Sequence, residues 1–150
     1  MLLPQTVALK DGSQCQIRAC TIDDYPAIKD MLQTALMFDD TWDSEVSVSL
    51  MLQQDPTAIL VAVIGEEVVG SIYINVFGHW VYFWRLVTAT AHQKKGVATT
   101  LLKVAEQLLK SRDIPEAAIF VNDSNKALKK FYSDRGWQIS GTFRSLWKKV

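Results

Sequence analysis

The stretch from Trp80 to Thr100 constrains this chain more than any other, because it passes from strand-like to helix-like residues through a loop carrying one glycine. Trp80 to Val87 is aromatic and β-branched, with bulky residues at both parities, as a central strand covered on both faces requires. Val97, Leu101, Ala105, Leu108 and Leu109 then recur at helical spacing and define one apolar stripe. Between these runs Gly96 lets the backbone approach a ligand closely, and a helix starting there presents unpaired N–H groups at its positive end. That junction suits a phosphate, although an ordinary strand-to-helix turn shares part of the pattern.

The other residues read as scaffold. A chain of 150 residues fits one domain, 1–150, and buries roughly two thirds of its unfolded surface. Thr6 to Lys10 and Gln14 to Thr21 flank Asp11-Gly12 and predict an opening β-hairpin. Thr21 reads as an N-cap, followed by an apolar helix face of Tyr25, Ile28, Met31, Leu32, Ala35 and Leu36. A second helix is expected from Val46 to Gln54, closed by Pro56. Ala58 to Ile64 and Val68 to Val76 predict a second hairpin around Gly65-Glu66-Glu67, with Trp80 to Val87 as the next antiparallel strand. After the helix that begins at Gly96 and ends near Arg112, Ala117 to Val121 reads as a strand reached by a parallel crossover. Ala127, Leu128, Phe131 and Tyr132 then mark a last helix ended by Gly136, and Trp137 to Ser140 with Thr142 to Lys148 predict two closing strands. The class is α/β in the broad sense (α+β), a mixed central sheet flanked by helices.

Sixteen basic and sixteen acidic residues cancel, which removes the long-range field of a general nucleic-acid binder. Cys15 and Cys20 fall at opposite parity on one strand, so their side chains point to opposite faces and do not pair. No apolar run approaches the ~20 residues of a membrane span, and a cytoplasmic protein is the expectation.

Gln93-Lys94-Lys95-Gly96-Val97-Ala98 resembles the Gln/Arg-x-x-Gly-x-Gly/Ala motif of the GNAT superfamily of N-acetyltransferases. Asn125, Tyr132, Gly136 and Trp137 resemble the last signature of that superfamily, and the two motifs stand in its order with room for one helix and one strand between them. Two residues depart from the pattern: Thr90 stands where Pro is frequent, and Leu128 where a small residue is usual. The resemblance implies a GNAT-like fold over the whole chain. It implies that Gln93, Lys94, Lys95, Gly96, Val97, Ala98 and Thr99 hold the pyrophosphate of acetyl-CoA, while the backbone of Leu86, Val87 and Thr88 contacts the acetyl and pantetheine groups. Asn125 would bind the pantetheine arm and Tyr132 would protonate the departing thiolate. Seven residues are two helical turns, so those two side chains share an azimuth.

The implied activity is transfer of acetyl from acetyl-CoA to a primary amine of a small molecule, protein or peptide, without metal, and a homodimer is compatible with it. The alternative is a non-catalytic acyl-CoA-sensing module of the same fold, because the strand from Gly78 to Thr88 carries no Asp or Glu to act as base. His79, His92 and the acidic connector Asp39 to Glu45 are the remaining candidates for that role. The connector, with Phe38 and Trp42, reads either as a surface for a cationic amine or as a solvated loop in which Thr41 or Asp43 caps the next helix.

Overall fold

The computed structural model describes residues 3–150, which separate into two compact units, one ending at Ile119 and one spanning Phe120–Val150. The first unit holds a six-stranded sheet in sequence order: β1 (Gln5–Ala8), β2 (Gln14–Ala19), β3 (Ile59–Ile64), β4 (Glu67–Phe77), β5 (Trp80–Thr88) and β6 (Ala118–Ile119). All neighbours are antiparallel except β5 and β6, the parallel pair joined through the helix between them. The sheet is therefore mixed, as the strand, helix, strand order predicts. Two turns use the glycines expected of them, with φ +84 at Gly12 and +63 at Gly65.

Helices α1 (Tyr25–Thr34) and α2 (Glu45–Gln54) lie on one face of the sheet. Their core partners there are the odd-numbered Ile59, Val61 and Val63 of β3, with Tyr73 and Val87. Helix α3 (Val97–Lys110) takes the other face and buries Val97, Leu101, Leu102, Val104, Ala105, Leu108 and Leu109. Gly70 is what lets it sit so close, since a Cβ there would stand 2.9 Å from Val97 Cγ1, 3.1 Å from Leu101 Cδ1 and 3.1 Å from the Val87 carbonyl oxygen. Cys15 and Cys20 are both buried and unbonded to each other, as opposite parity requires.

Several details differ from expectation. Leu36, expected on the apolar face of α1, lies beyond its end with φ +56 and is exposed. Thr21 opens a 3-10 turn, Ile22–Asp24, which leads directly into α1. Its N–H donates to the Asp24 carboxylate at 2.8 Å, and that carboxylate is also gripped by both terminal nitrogens of Arg18 at 2.7 and 2.8 Å. The cap of α2 is Ser44, whose Oγ accepts the Ser47 N–H at 3.2 Å, and neither Thr41 nor Asp43. Strand β5 is fully buried only through Val81 and Phe83, whereas Trp80 at its tip is 45% exposed, so both-face coverage stops short of the Gly78 turn.

The second unit contains α4 (Lys126–Ser133), closed at Gly136 with φ +86 by the Trp137 N–H donating to the Tyr132 carbonyl at 3.1 Å. The two closing strands expected over 137–148 do not form: residues 137–150 are irregular throughout. Their apolar alternation meets no sheet partner, and Ile139, Phe143, Leu146 and Trp147 stand exposed. Among the described residues no helix is long and apolar enough to cross a membrane.

Candidate active site

Strand β5 is regular up to Trp84 and then bulges. Its register against β4 pairs Tyr73 with Trp84 but Ser71 with Val87, so Ile72 faces the two residues Arg85 and Leu86. Arg85 carries the irregularity in its backbone, with φ +50. The parallel ladder to β6 pairs only Tyr82 with Ala118 and Phe83 with Ile119, so it ends before the bulge begins. The backbone of Leu86, Val87 and Thr88 thus lies beyond that ladder, where the strand has been turned off its regular course.

The chain then enters the loop. A 3-10 turn, Thr90–His92, follows β5, and Lys94 and Gly96 both take left-handed conformations, φ +63 and +96, immediately before α3. Gly96 is the helix N-cap and offers no side chain, so it satisfies none of the first-turn N–H groups of α3 itself. The opening hairpin braces the loop from one side: the Lys10 N–H donates to the Lys95 carbonyl at 3.2 Å, and Lys95 Nζ lies 3.4 Å from Asp11 Oδ2. His92 Nε2 lies 3.3 Å from Glu67 Oε2, while its Nδ1 is buried without a partner.

Across the sheet face of α1 and α2, the connector is organised inward. Asp43 is fully buried and accepts Arg85 Nε at 3.0 and 3.1 Å on its two oxygens, with Arg85 Nη2 at 2.9 Å from Oδ2. Oδ2 also accepts the Asp39 N–H at 2.8 Å, and the Asp43 carbonyl accepts the Tyr25 hydroxyl at 2.9 Å. Asp39 in turn accepts the N–H groups of Thr41 and Trp42, both at 2.9 Å, and the Trp42 bond first and the Thr41 bond second hold its carboxyl below the ordinary value. Two of the connector's carboxylates are therefore spent on its own architecture, which leaves less of the cation-attracting surface than the composition suggested.

Two hydroxyls beside the bulge, Ser71 Oγ and Tyr73 Oη, are buried with no hydrogen-bond partner. Burial first, and then the Asp43 carboxylate, push the Tyr73 phenol above its ordinary value. It stays protonated at neutral pH and can donate or accept a hydrogen bond without acting as a base.

In the second unit Asn125 caps α4, its Oδ1 accepting the Leu128 N–H at 3.0 Å, which leaves the two Nδ2 hydrogens for another acceptor. Tyr132 is buried, with its ring edge-on to Phe131 at 5.1 Å and to Trp137 at 5.7 Å.

The acetyltransferase (GNAT) family model matches residues 21–137, a span that holds the bulge, the loop, α3 and α4. The chain belongs to that family. It is 25% identical over 135 residues, covering 90% of this chain and 95% of the relative, to an acetyltransferase of Sodalis glossinidius (strain morsitans). An acetyltransferase of Photorhabdus laumondii subsp. laumondii is 28% identical over 125 residues, covering 80% of this chain and 87% of that one. The fold is similar to that of the PaiA N-acetyltransferase of Thermoplasma acidophilum, crystallised in complex with coenzyme A, with a TM-score of 0.76 at 20% identity over 86% of this chain and 92% of that one.

As a GNAT protein, the chain keeps Leu86, Val87 and Thr88 together with Gln93 to Thr99 on one continuous strand, loop and helix, as the sequence predicts. Asn125 stands just outside α4 as its N-cap, with non-helical φ −84 and ψ 81, and Tyr132 lies in its last turn, so the common azimuth expected of two helical residues does not apply to Asn125. The residues that sequence reasoning missed are Gly70, Ser71, Tyr73 and Arg85, together with the pairing of Arg85 to Asp43, a residue it reads only as a helix cap or as part of the acidic connector. One signal was available: Arg85 is the only charged residue between Trp80 and Thr88, and a lone charge in an apolar strand needs a buried partner. Nothing in the connector marked Asp43, among its four carboxylates, as that partner.

Proposed function

We propose that this GNAT protein is an acetyl-CoA-dependent N-acetyltransferase that acetylates a primary amine of a small molecule, protein or peptide by direct attack. The observation that carries the reading is the pair of left-handed residues, Lys94 and Gly96, opening α3 straight after a bulged strand. The helix start, with its N–H groups pointing along the positive end of the helix, fits the pyrophosphate of acetyl-CoA, and Lys94 and Lys95 add a salt-sensitive attraction. The bulge fits the carbonyl of the acetyl group, since it takes backbone out of regular pairing.

Acetyl-CoA supplies the activated thioester. Leu86, Val87 and Thr88 orient it through their backbone, and Asn125 Nδ2 holds the pantetheine arm. A neutral amine forms the new C–N bond as the C–S bond breaks, and Tyr132 delivers its proton to the sulfur. The proton released by the amine returns to Tyr132 through solvent, so the balance closes without an external acid or base. A phenol near ~10 is a slightly weaker acid than a thiol near ~8.5, so donation is mildly uphill yet useful as charge builds on sulfur.

Melting temperatures with acetyl-CoA, CoA, NAD and ATP test the donor, because a ligand of the native state raises apparent stability. Acetyl-CoA and CoA should raise it and the others should not. Thiol release with polyamines, amino acids, aminoglycosides and peptide N-termini tests the acceptor, and binding without turnover on every amine would favour the sensing module. Tyr132→Phe should lower kcat by about 10²–10⁴-fold while leaving acetyl-CoA affinity nearly unchanged. A kcat within about twofold of wild type lies outside that range and removes Tyr132 as the acid.

A further inference from the structure

Arg85 combines two properties that call for a common explanation. Its backbone takes a left-handed conformation at the bulge, which an L side chain holds only when its surroundings fix it. Its guanidinium grips a carboxylate that is fully buried and comes from a connector 42 residues away in sequence. That carboxylate is a node: it also receives the Asp39 N–H, and the same residue's carbonyl receives the Tyr25 hydroxyl from α1. One ion pair thus ties together β5, the connector and α1.

We infer that the Arg85–Asp43 pair is a positioning device that locks the bulge to the connector over 39–43 and so sets how the backbone of Leu86 to Thr88 recognises the acetyl group. The inference rests on the acetyltransferase reading above. A guanidinium bonded through both Nε and Nη2 fixes orientation as well as distance, which a lysine ammonium would not. A buried ion pair is a poor stabiliser compared with an apolar replacement, because both charges lose their water, so fixing one geometry is the better account of its presence. Removing either partner should let the bulge relax toward a regular strand and let the connector lose its internal bonds together with it.

Calorimetric titration of acetyl-CoA and of CoA into wild type, Arg85→Gly, Asp43→Asn and Arg85→Lys tests this without knowledge of the acceptor. Wild type should bind acetyl-CoA several-fold more tightly than CoA. In Arg85→Gly and Asp43→Asn that preference should fall toward parity, with CoA losing less affinity than acetyl-CoA because the loop over 93–99 is untouched, and Arg85→Lys should fall between. Arg85→Lys keeps a cation opposite the buried Asp43 carboxylate, so it supplies a folded reporter even where Arg85→Gly or Asp43→Asn does not fold. Hydrogen exchange in Arg85→Gly should rise at the amides of Asp39, Thr41, Trp42 and Asp43, all bonded within the connector in the native protein. A lower melting temperature with the ligand preference intact means a merely structural pair and overturns the inference, as does a wild type that binds both ligands equally. A wild type that binds neither ligand overturns the acetyltransferase reading and this inference with it.

Discussion

The bulge at Arg85 and the loop at Gly96 lie on the same run of chain and both use left-handed backbone, yet they are held by opposite means. At the bulge a charged residue takes that conformation, and a buried ion pair from a remote connector holds it there. At the loop Lys94 and Gly96 both take it, the glycine freely and the lysine without a buried partner among the described residues to hold it, and the bracing side-chain contact comes from partly exposed Lys95 and Asp11. On the proposed acetyltransferase reading, the difference follows from what each would present. A bulge aiming backbone at a reacting carbonyl would need one geometry before the ligand arrives, whereas a loop wrapping phosphates would need available N–H groups and no Cβ in the way. Side chains therefore fix the first, and absence of a side chain serves the second.

The comparison breaks most severely at Asp43. Asp43→Ala leaves the mostly buried Arg85 guanidinium without its partner and releases the Asp39 N–H and its turn, so it should cost about 3–5 kcal/mol. Urea denaturation with an unchanged m-value would give that loss directly. A cost below about 1 kcal/mol would mean that the pair behaves as an exposed one and that the bulge is held by packing alone. Gly70→Ala probes the seam between the two regions, because its Cβ would collide with Val97 at the start of α3 and with the Val87 carbonyl beside the bulge. The Val97 methyl can shift but the carbonyl cannot, and the expected loss is about 1–3 kcal/mol by thermal or urea unfolding.

What could be read in the sequence divides along the same line. Hairpins at Gly12 and Gly65, the α3 stripe and the parallel crossover rest on local turn chemistry and periodicity, and each appears where the residues place it. The junction at Gly96 was legible for the same reason: a glycine between a strand and an amphipathic helix is a local statement. The Arg85–Asp43 pair was not, because which of four carboxylates reaches a strand 42 residues later depends on tertiary packing. Ser44 rather than Thr41 or Asp43 caps α2 because Asp43 is already committed to Arg85 and Asp39. The expectation of closing strands failed for a related reason. Alternation over 137–148 describes residues that would suit a pleated surface, and a strand exists only where a neighbour pairs with it.

Gly96→Ala measures the loop's side of the comparison. The added Cβ would meet only Lys10 Cε at 3.8 Å and Cγ at 3.9 Å, which is ordinary contact, so the cost comes from φ +96 alone. About 1–2 kcal/mol of stability should be lost, read from the melting curve. Acetyl-CoA affinity should fall alongside it, because a backbone that moves to negative φ turns the first N–H groups of α3 away from the phosphates.

The smallest effect belongs to the brace between Lys95 and Asp11, and the protonation chemistry of Asp11 says why. Its carboxyl is held down at about 2, first by the Ser13 hydroxyl and then by the Ser13 N–H, with Lys95 the minor influence. The hairpin turn therefore keeps its geometry without the lysine, and Lys95→Gln should change acetyl-CoA affinity by less than about threefold at 0.15 M salt, as expected of an exposed pair. The sign of the pH dependence follows from the lowered value. Whatever the ionised Asp11 contributes is fully present above its unfolded value near ~3.9 and is lost as pH falls toward about 2. Between pH 5 and 8 Asp11 stays ionised, so the ratio of wild-type to Lys95→Gln affinities should be flat across that window and shrink toward one as salt rises. A tenfold or larger loss, about 1.4 kcal/mol or more, persisting at high salt would show instead that Lys95 fixes the loop as firmly as Asp43 fixes the bulge, and the contrast between the two regions would be gone.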